Sequence, residues 1–79
     1  MKVYVPCRIE GRDIVRFGNF SSKEKAMAYA FKITHDADLA YHRRHYPDEE
    51  YEYNSADLWD GVGDDFYFFE VDTDYVDRD

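Results

Sequence analysis

Acidic side chains with a regular spacing are the first candidates for chemistry in this sequence. Glu70, Asp72 and Asp74 occupy every second position, so in an extended strand they project from one face about 6.7 Å apart. Further candidates precede them, namely Asp48, Glu49, Glu50, Glu52, Asp57, Trp59, Asp60, Asp64 and Asp65. Clustered carboxylates attract a basic groove on another protein, and aromatic neighbours supply the buried anchors of an interface. These residues therefore predict protein binding without catalysis.

Two phenylalanines project from the same strand face as the last acids. Phe66 and Phe68 precede Glu70 at alternating positions. If this face is open, both rings are interface anchors. If residues 46–62 cover it, both rings belong to the core, and the sequence does not choose between these interpretations.

Charge is distributed unevenly along the 79 residues. Residues 1–44 contain nine Lys or Arg and five Asp or Glu, whereas residues 45–79 contain one Arg and thirteen Asp or Glu, for a net charge of −8. Affinity for phosphate comes mainly from Lys and Arg, so this balance argues against direct binding of nucleic acid. The segregation indicates either a docking surface for a basic protein or a coat that only keeps the chain soluble.

A helix predicted in the middle of the chain carries possible metal ligands. His35, Asp38, His42 and His45 fall within an arc of roughly 80° on a helical wheel. Two or three of them would meet one metal ion, as in a metal-dependent hydrolase. However, the arc lies opposite the small residues of the helix and beside two arginines at 43–44. We therefore favour an exposed polar face and expect no metal and no cofactor.

Aspartates around Gly61 and Gly63 do not follow the pattern of a calcium loop, and no Glu follows at the required distance.

Cys7 alternates with Val3 and Val5, which indicates a buried apolar side chain rather than a nucleophile. One cysteine allows no intrachain disulfide and suggests a reducing, cytoplasmic location. No apolar run approaches the roughly 20 residues that span a bilayer, so we expect no membrane association.

The first 18 residues alternate as a β-hairpin does. Residues 2–18 predict two strands joined by a turn at 10–13, with Gly11 free to adopt positive φ. Pro6 has no amide hydrogen to donate to a ladder, so we expect the first strand to run along an edge.

A long helix is predicted next. Ser21 and Glu24 have the spacing of a capping box, and Pro47 ends the helix at or before Tyr46. One stripe should face the sheet, formed by Ala26, Tyr29, Ala30, Ile33, Ala37, Ala40 and Tyr41. A break at 34–36 would instead divide the helix in two.

Residues 47–65 read as an irregular acidic insertion. Within it, Asn54 or Ser55 caps a short helical turn that Gly61 ends, and 61–65 form a turn. Residues 66–76 predict the last strand, and 77–79 should fray. The expected fold is α+β, with a three-stranded antiparallel sheet (ββαβ) and one long helix packed on a face, in a single domain of residues 1–79.

The chain resembles small ββαβ domains of unassigned function from phage and bacteria. The likeness lies in the hairpin, in the capped helix that starts in residues 18–26, and in the aromatic, acidic strand at 67–72. In size, acidity and aromatic content the chain also resembles phage-encoded anti-defence inhibitors, such as anti-CRISPR and DNA-mimic proteins. This likeness implies a non-enzymatic inhibitor that blocks the basic nucleic-acid-binding site of a host defence protein in the host cytoplasm. The alternative is a small interaction module or homodimer with a merely solubilising acidic surface. In either case we expect a monomer or a homodimer.

Overall fold

The computed structural model describes residues 1–76, and the fraying expected at 77–79 lies outside them. The elements are β1 (Lys2–Glu10), β2 (Asp13–Arg16), α1 (Lys23–His45), α2 (Ser55–Asp65) and β3 (Phe66–Asp72). The three strands form an antiparallel sheet in the order β2-β1-β3. The predicted α+β fold with a three-stranded antiparallel sheet is confirmed. A second helix, α2, stands in the part of the chain for which we predicted an irregular insertion.

The prediction of an edge position for the strand with Pro6 is wrong, because β1 is the central strand. Tyr4 exchanges two backbone hydrogen bonds with Phe20, and the carbonyl of Pro6 accepts from the Phe17 amide at 3.0 Å. The Pro6 nitrogen, which has no hydrogen to donate, therefore faces the short gap between the end of β2 and the bridge at Phe20. The turn of the hairpin is confirmed, with Gly11 at a φ of 63°.

The two faces of the sheet have different surroundings. One face, named here the helix face, carries Phe66, which is 4% exposed and packs with Ala30 of α1 and Val62 of α2. The other face, named here the open face, carries Val3 and Val5 at its centre. Register places Tyr67 opposite Cys7 and Phe69 opposite Val5, so the exposed rings of β3 lie on the open face.

Helix α1 begins one residue later than the predicted capping box. Ser22, not Ser21, is the N-cap, and its Oγ accepts from the Lys25 amide at 3.2 Å. The helix is continuous through Thr34, whose Oγ1 donates to the Ala30 carbonyl at 2.9 Å, and it ends at His45 before Pro47 as predicted.

Helix α1 is longer than the sheet that it covers. Its 23 residues span about 34 Å. Ala26 and Ala30 are fully buried against the sheet, whereas Ala37, Ala40 and Tyr41 of the same stripe are exposed. The second half of the predicted sheet-facing stripe is therefore wrong, because α1 continues past the sheet.

Helix α2 does not end at Gly61, and the predicted turn at 61–65 is helical. Asn54 is the N-cap, as one of the two predicted options, and its Oδ1 accepts from the Ala56 amide at 2.9 Å. Leu58 and Val62, one turn apart, are both buried. Gly61 does not adopt the positive φ with which a glycine ends a helix, so the helix continues through it. Burial of Leu58 and Val62 on either side of Gly61 stabilises this continuation.

Strand β3 ends at Asp72, four residues earlier than predicted. The Thr73 amide donates to the Met1 carbonyl at 2.8 Å, and the Asn19 side chain donates to the Tyr75 carbonyl at 3.0 Å. Beyond β3 the chain is thus held by Met1 and Asn19, and Val76 packs against the open-face cluster of Val3, Val5 and Cys7. Neither α1 nor α2 has the length and apolarity that a membrane-spanning helix requires.

Candidate interaction surfaces

Helix α2 presents a row of carboxylates to solvent. Asp57, Asp60 and Asp64 are spaced i, i+3 and i+7, so they share one side of the helix, roughly opposite the buried Leu58 and Val62. Over this row the helix rises by about 10 Å. The structure therefore brings these three predicted site residues together.

Four more of the predicted acids precede α2, and Asp65 ends it. Asp48, Glu49, Glu50 and Glu52 are all exposed, as is Asp65. Together with Asp57, Asp60 and Asp64 they are named here the eight free acids. No cationic nitrogen of residues 1–76 lies within 4.0 Å of any of these eight carboxylates. Their charge is not neutralised within the described part of the chain.

A cluster of rings fastens the segment that carries these acids to the protruding half of α1. Tyr51 Oη donates to Asp38 Oδ2 at 2.7 Å, and its ring lies 5.5 Å from His35 and 5.4 Å from His42 between centroids. Tyr53 packs edge-on against His35 at 4.8 Å. Partial burial, the hydrogen bond and the charge of Asp38 together raise the pKa of Tyr51 to about 12.

The helix face for which we considered a metal site is thus partly covered by Tyr51. The Nδ1 atom of His42 is shielded from solvent and has no hydrogen-bond partner within residues 1–76. Across that same range, no three His, Cys, Asp or Glu side chains come close enough to hold one ion. Asp38 and His45 are exposed, as predicted for this polar face, whereas His35 and His42 are half-buried because Tyr51 packs on both.

An acidic cleft lies between α1, residues 52–54 and the first turn of α2. Its volume is about 580 Å³, and its lining comprises Thr34, Ala37, Asp38, Tyr41, Glu52, Tyr53, Asn54, Asp57 and Leu58. Three carboxylates and two tyrosine rings suit the side chain of a lysine or an arginine, which pairs with acids and stacks on rings. Sequence reasoning missed this cleft, because Ala37 and Tyr41 were expected to face the sheet.

Glu70 and Asp72 of β3, and Asp74 beyond its end, have cationic neighbours. Glu70 pairs with Lys2 Nζ at 3.5 Å, and the amino group of Met1 lies 3.1 Å from Asp72 and 3.5 Å from Asp74. These carboxylates are well exposed, so solvent screens the pairs and they are weak. The predicted row of β3 acids is therefore partly compensated by the chain itself.

The aromatic candidates divide between core and surface. Phe66 is buried and Phe68 is half-buried on the helix face, so the core interpretation holds for both. Trp59 is 41% exposed and packs on Phe31 with 4.6 Å between ring centroids. Of Phe66, Phe68 and Trp59, it is Trp59 that stays exposed, and it lies on α2 among the acids.

The open face carries an apolar groove that sequence reasoning also missed. The groove has a volume of about 250 Å³ and is lined by Cys7, Ile9, Ile14, Tyr67 and Phe69. Cys7 is 2% exposed, as expected of a buried apolar residue, whereas the other four side chains are half exposed. Ile9 and Ile14 are register partners in the hairpin, so both side chains lie on this face. Comparison of the chain with protein-family models, with curated proteins and with solved structures gives no match.

Proposed function

We propose that this chain is a non-enzymatic binding protein that occupies the basic nucleic-acid-binding site of another protein. The eight free acids carry the contact, with Trp59 as an anchor at its edge. The observation that carries the proposal is that these carboxylates have no cation of residues 1–76 to pair with. Lysines and arginines of a partner would supply the missing positive charges.

The mechanism is competition for a shared site. The negative field of the eight free acids steers the chain toward a basic surface, as phosphates do. One cationic side chain of the partner enters the acidic cleft, where Asp38, Glu52 and Asp57 surround it. Others pair along the α2 row. While the chain is bound, nucleic acid has no access to those cations, and no covalent step is required.

Inhibition of a host defence protein by a phage-encoded chain in the host cytoplasm is the biological setting that fits this mechanism. Such inhibition needs a binder without turnover, acting on an effector that grips nucleic acid through Lys and Arg. The acidic surface fits this requirement in charge. The resemblance in size and composition to anti-defence inhibitors points the same way.

The test is capture from a bacterial lysate with a matched pair of variants. The first variant carries Asp57→Asn, Asp60→Asn and Asp64→Asn on α2. The second carries Glu10→Gln, Asp13→Asn and Glu24→Gln, which changes the net charge equally but outside the surface. We expect the wild type and the second variant to capture the same nucleic-acid-binding protein at low salt, and the first variant to lose it.

High salt should release the captured protein, because ion pairs between exposed groups are screened. Equal capture by both variants would contradict the proposal, as would capture that salt does not weaken. Mass spectrometry identifies the captured protein. A partner with no affinity for nucleic acid would also overturn the proposal.

A further inference from the structure

Strand β3 has an outer edge that no other described strand pairs with, since it is the last strand in the order β2-β1-β3. Tyr4 exchanges its backbone hydrogen bonds with Phe20, on the side of β1 that faces away from β3. Backbone groups alternate along a strand, so Val3 and Val5 point to β3, and their register partners Val71 and Phe69 point back. The hydrogen bond from the Thr73 amide to the Met1 carbonyl fits this alternation, since both residues are two positions along from Val71 and Val3.

It follows that the amides and carbonyls of Phe68, Glu70 and Asp72 point outward. Glu70 and Asp72 are exposed, and no hydrogen bond within residues 1–76 engages the outward backbone groups of these three residues. An unpaired row of this kind is a template for one more strand. Its side chains alternate, with acids on the helix face and the exposed Tyr67 and Phe69 on the open face.

We infer that this edge binds an extended segment of a partner protein in which basic and apolar side chains alternate. Basic side chains of the added strand would lie beside Glu70 and Asp72. Its apolar side chains would lie beside Tyr67 and Phe69, next to the groove of the open face. The inner neighbour of β3 already has this pattern, because β1 places Lys2 within 3.5 Å of Glu70 and places Val3 and Val5 on the open face.

Charge selects such a partner over a second copy of this chain. β3 contains two acids and no Lys or Arg, so pairing with its own copy would add a second acidic row without a cation. Like charges across neighbouring strands are destabilising, and opposite charges are favourable. The inference does not depend on the proposed function, because it concerns a different surface and a synthetic peptide tests it.

The experiment titrates the labelled full chain with a short peptide in which lysine and valine alternate, and follows backbone amides by NMR. We expect the largest shifts at Phe68, Glu70 and Asp72, with slower hydrogen exchange at these amides. The same peptide with an N-methyl group on every backbone amide should bind about tenfold more weakly, since neither of its edges can then donate to the ladder. Equal binding of the two peptides would overturn the inference.

Two substitutions sharpen the test. Glu70→Pro removes an outward amide but no bond to β1, so the fold should persist while peptide binding falls about tenfold. Glu70→Gln should weaken binding less and reduce its dependence on salt. If Glu70→Pro unfolds the chain, the test is the comparison of the N-methylated and unmethylated peptides on the wild-type chain. Shifts that map to the eight free acids instead of β3, or a dimer that forms through β3 without peptide, would contradict the inference.

Discussion

The hydroxyl of Tyr51 donates a 2.7 Å hydrogen bond to the carboxylate of Asp38. This contact joins the segment that carries Asp48, Glu49, Glu50 and Glu52 to the half of α1 that extends beyond the sheet. Tyr51 directly precedes Glu52, Tyr53 and Asn54, which line one side of the acidic cleft. The bond therefore links the stability of the protruding half of α1 to the shape of the acidic surface.

Replacement of Tyr51 by Phe should lower the free energy of unfolding by about 1 kcal/mol, because it removes one hydrogen bond and keeps the ring. Chemical denaturation measures this change. Tyr53→Phe is the matched control, since its ring packs on His35 while no described hydrogen bond engages its hydroxyl. A loss as large in Tyr53→Phe as in Tyr51→Phe would contradict the role given to the Asp38 bond.

The free energy of unfolding should fall as pH rises from about 10 to about 12, because Tyr51 holds its proton more tightly in the folded state. Unfolded Tyr51 loses its proton near the ordinary pKa of 10.0, whereas the folded state holds it until about 12. Between these values the unfolded state binds fewer protons, so unfolding becomes more favourable with rising pH. Denaturation midpoints of the wild type and of Tyr51→Phe should converge over this range. A constant difference between them would contradict the assignment.

Larger side chains on the α1 stripe should destabilise the fold on its buried half and have little effect on its exposed half. Ala30→Leu places a larger side chain against Phe66 and Val62, and it should destabilise the fold by about 1–3 kcal/mol. Ala40→Leu makes the same change on the exposed half and should alter stability by less than about 0.5 kcal/mol. Thermal unfolding compares the two variants. Equal losses would mean that both halves of α1 are packed.

Alanine in place of the glycines of α2 should stabilise the chain. A Cβ at Gly61 would lie 3.6 Å from Thr34 Cγ2, an ordinary contact, and a Cβ at Gly63 would meet nothing within 4 Å. Each substitution should add about 0.5–1 kcal/mol through helix propensity. Gly11→Ala is the opposite control, because its φ of 63° strains an L side chain and should cost about 1 kcal/mol. Loss of stability in both α2 variants would argue against a continuous helix.

The parts of the fold that local pattern determines were predictable. Alternation in residues 2–18 predicted the hairpin, and the run of helix formers before Pro47 predicted α1. The β-formers of residues 66–76 predicted the last strand, which the structure ends at Asp72. The position of Pro6 in a central strand was not predictable, because the gap between Arg16 and Phe20 that spares its missing hydrogen bond is a tertiary feature.

The candidate site was predictable only in its composition. Charge counting identified the acids, but it could not separate Asp57, Asp60 and Asp64, which have no cationic partner, from Glu70, which Lys2 accompanies. That division depends on strand order, which the sequence left open. The continuation of α2 through Gly61, which aligns the three aspartates, depends on burial of Val62 against neighbouring elements.

The central claim is that the eight free acids take the place of nucleic acid on a basic protein. The most direct measurement is displacement of a labelled duplex from the captured nucleic-acid-binding protein by increasing amounts of this chain. We predict that the wild type displaces the duplex, and that the variant with Asp57→Asn, Asp60→Asn and Asp64→Asn requires a concentration about tenfold higher or more. A duplex that stays bound in the presence of saturating wild-type chain would contradict the claim.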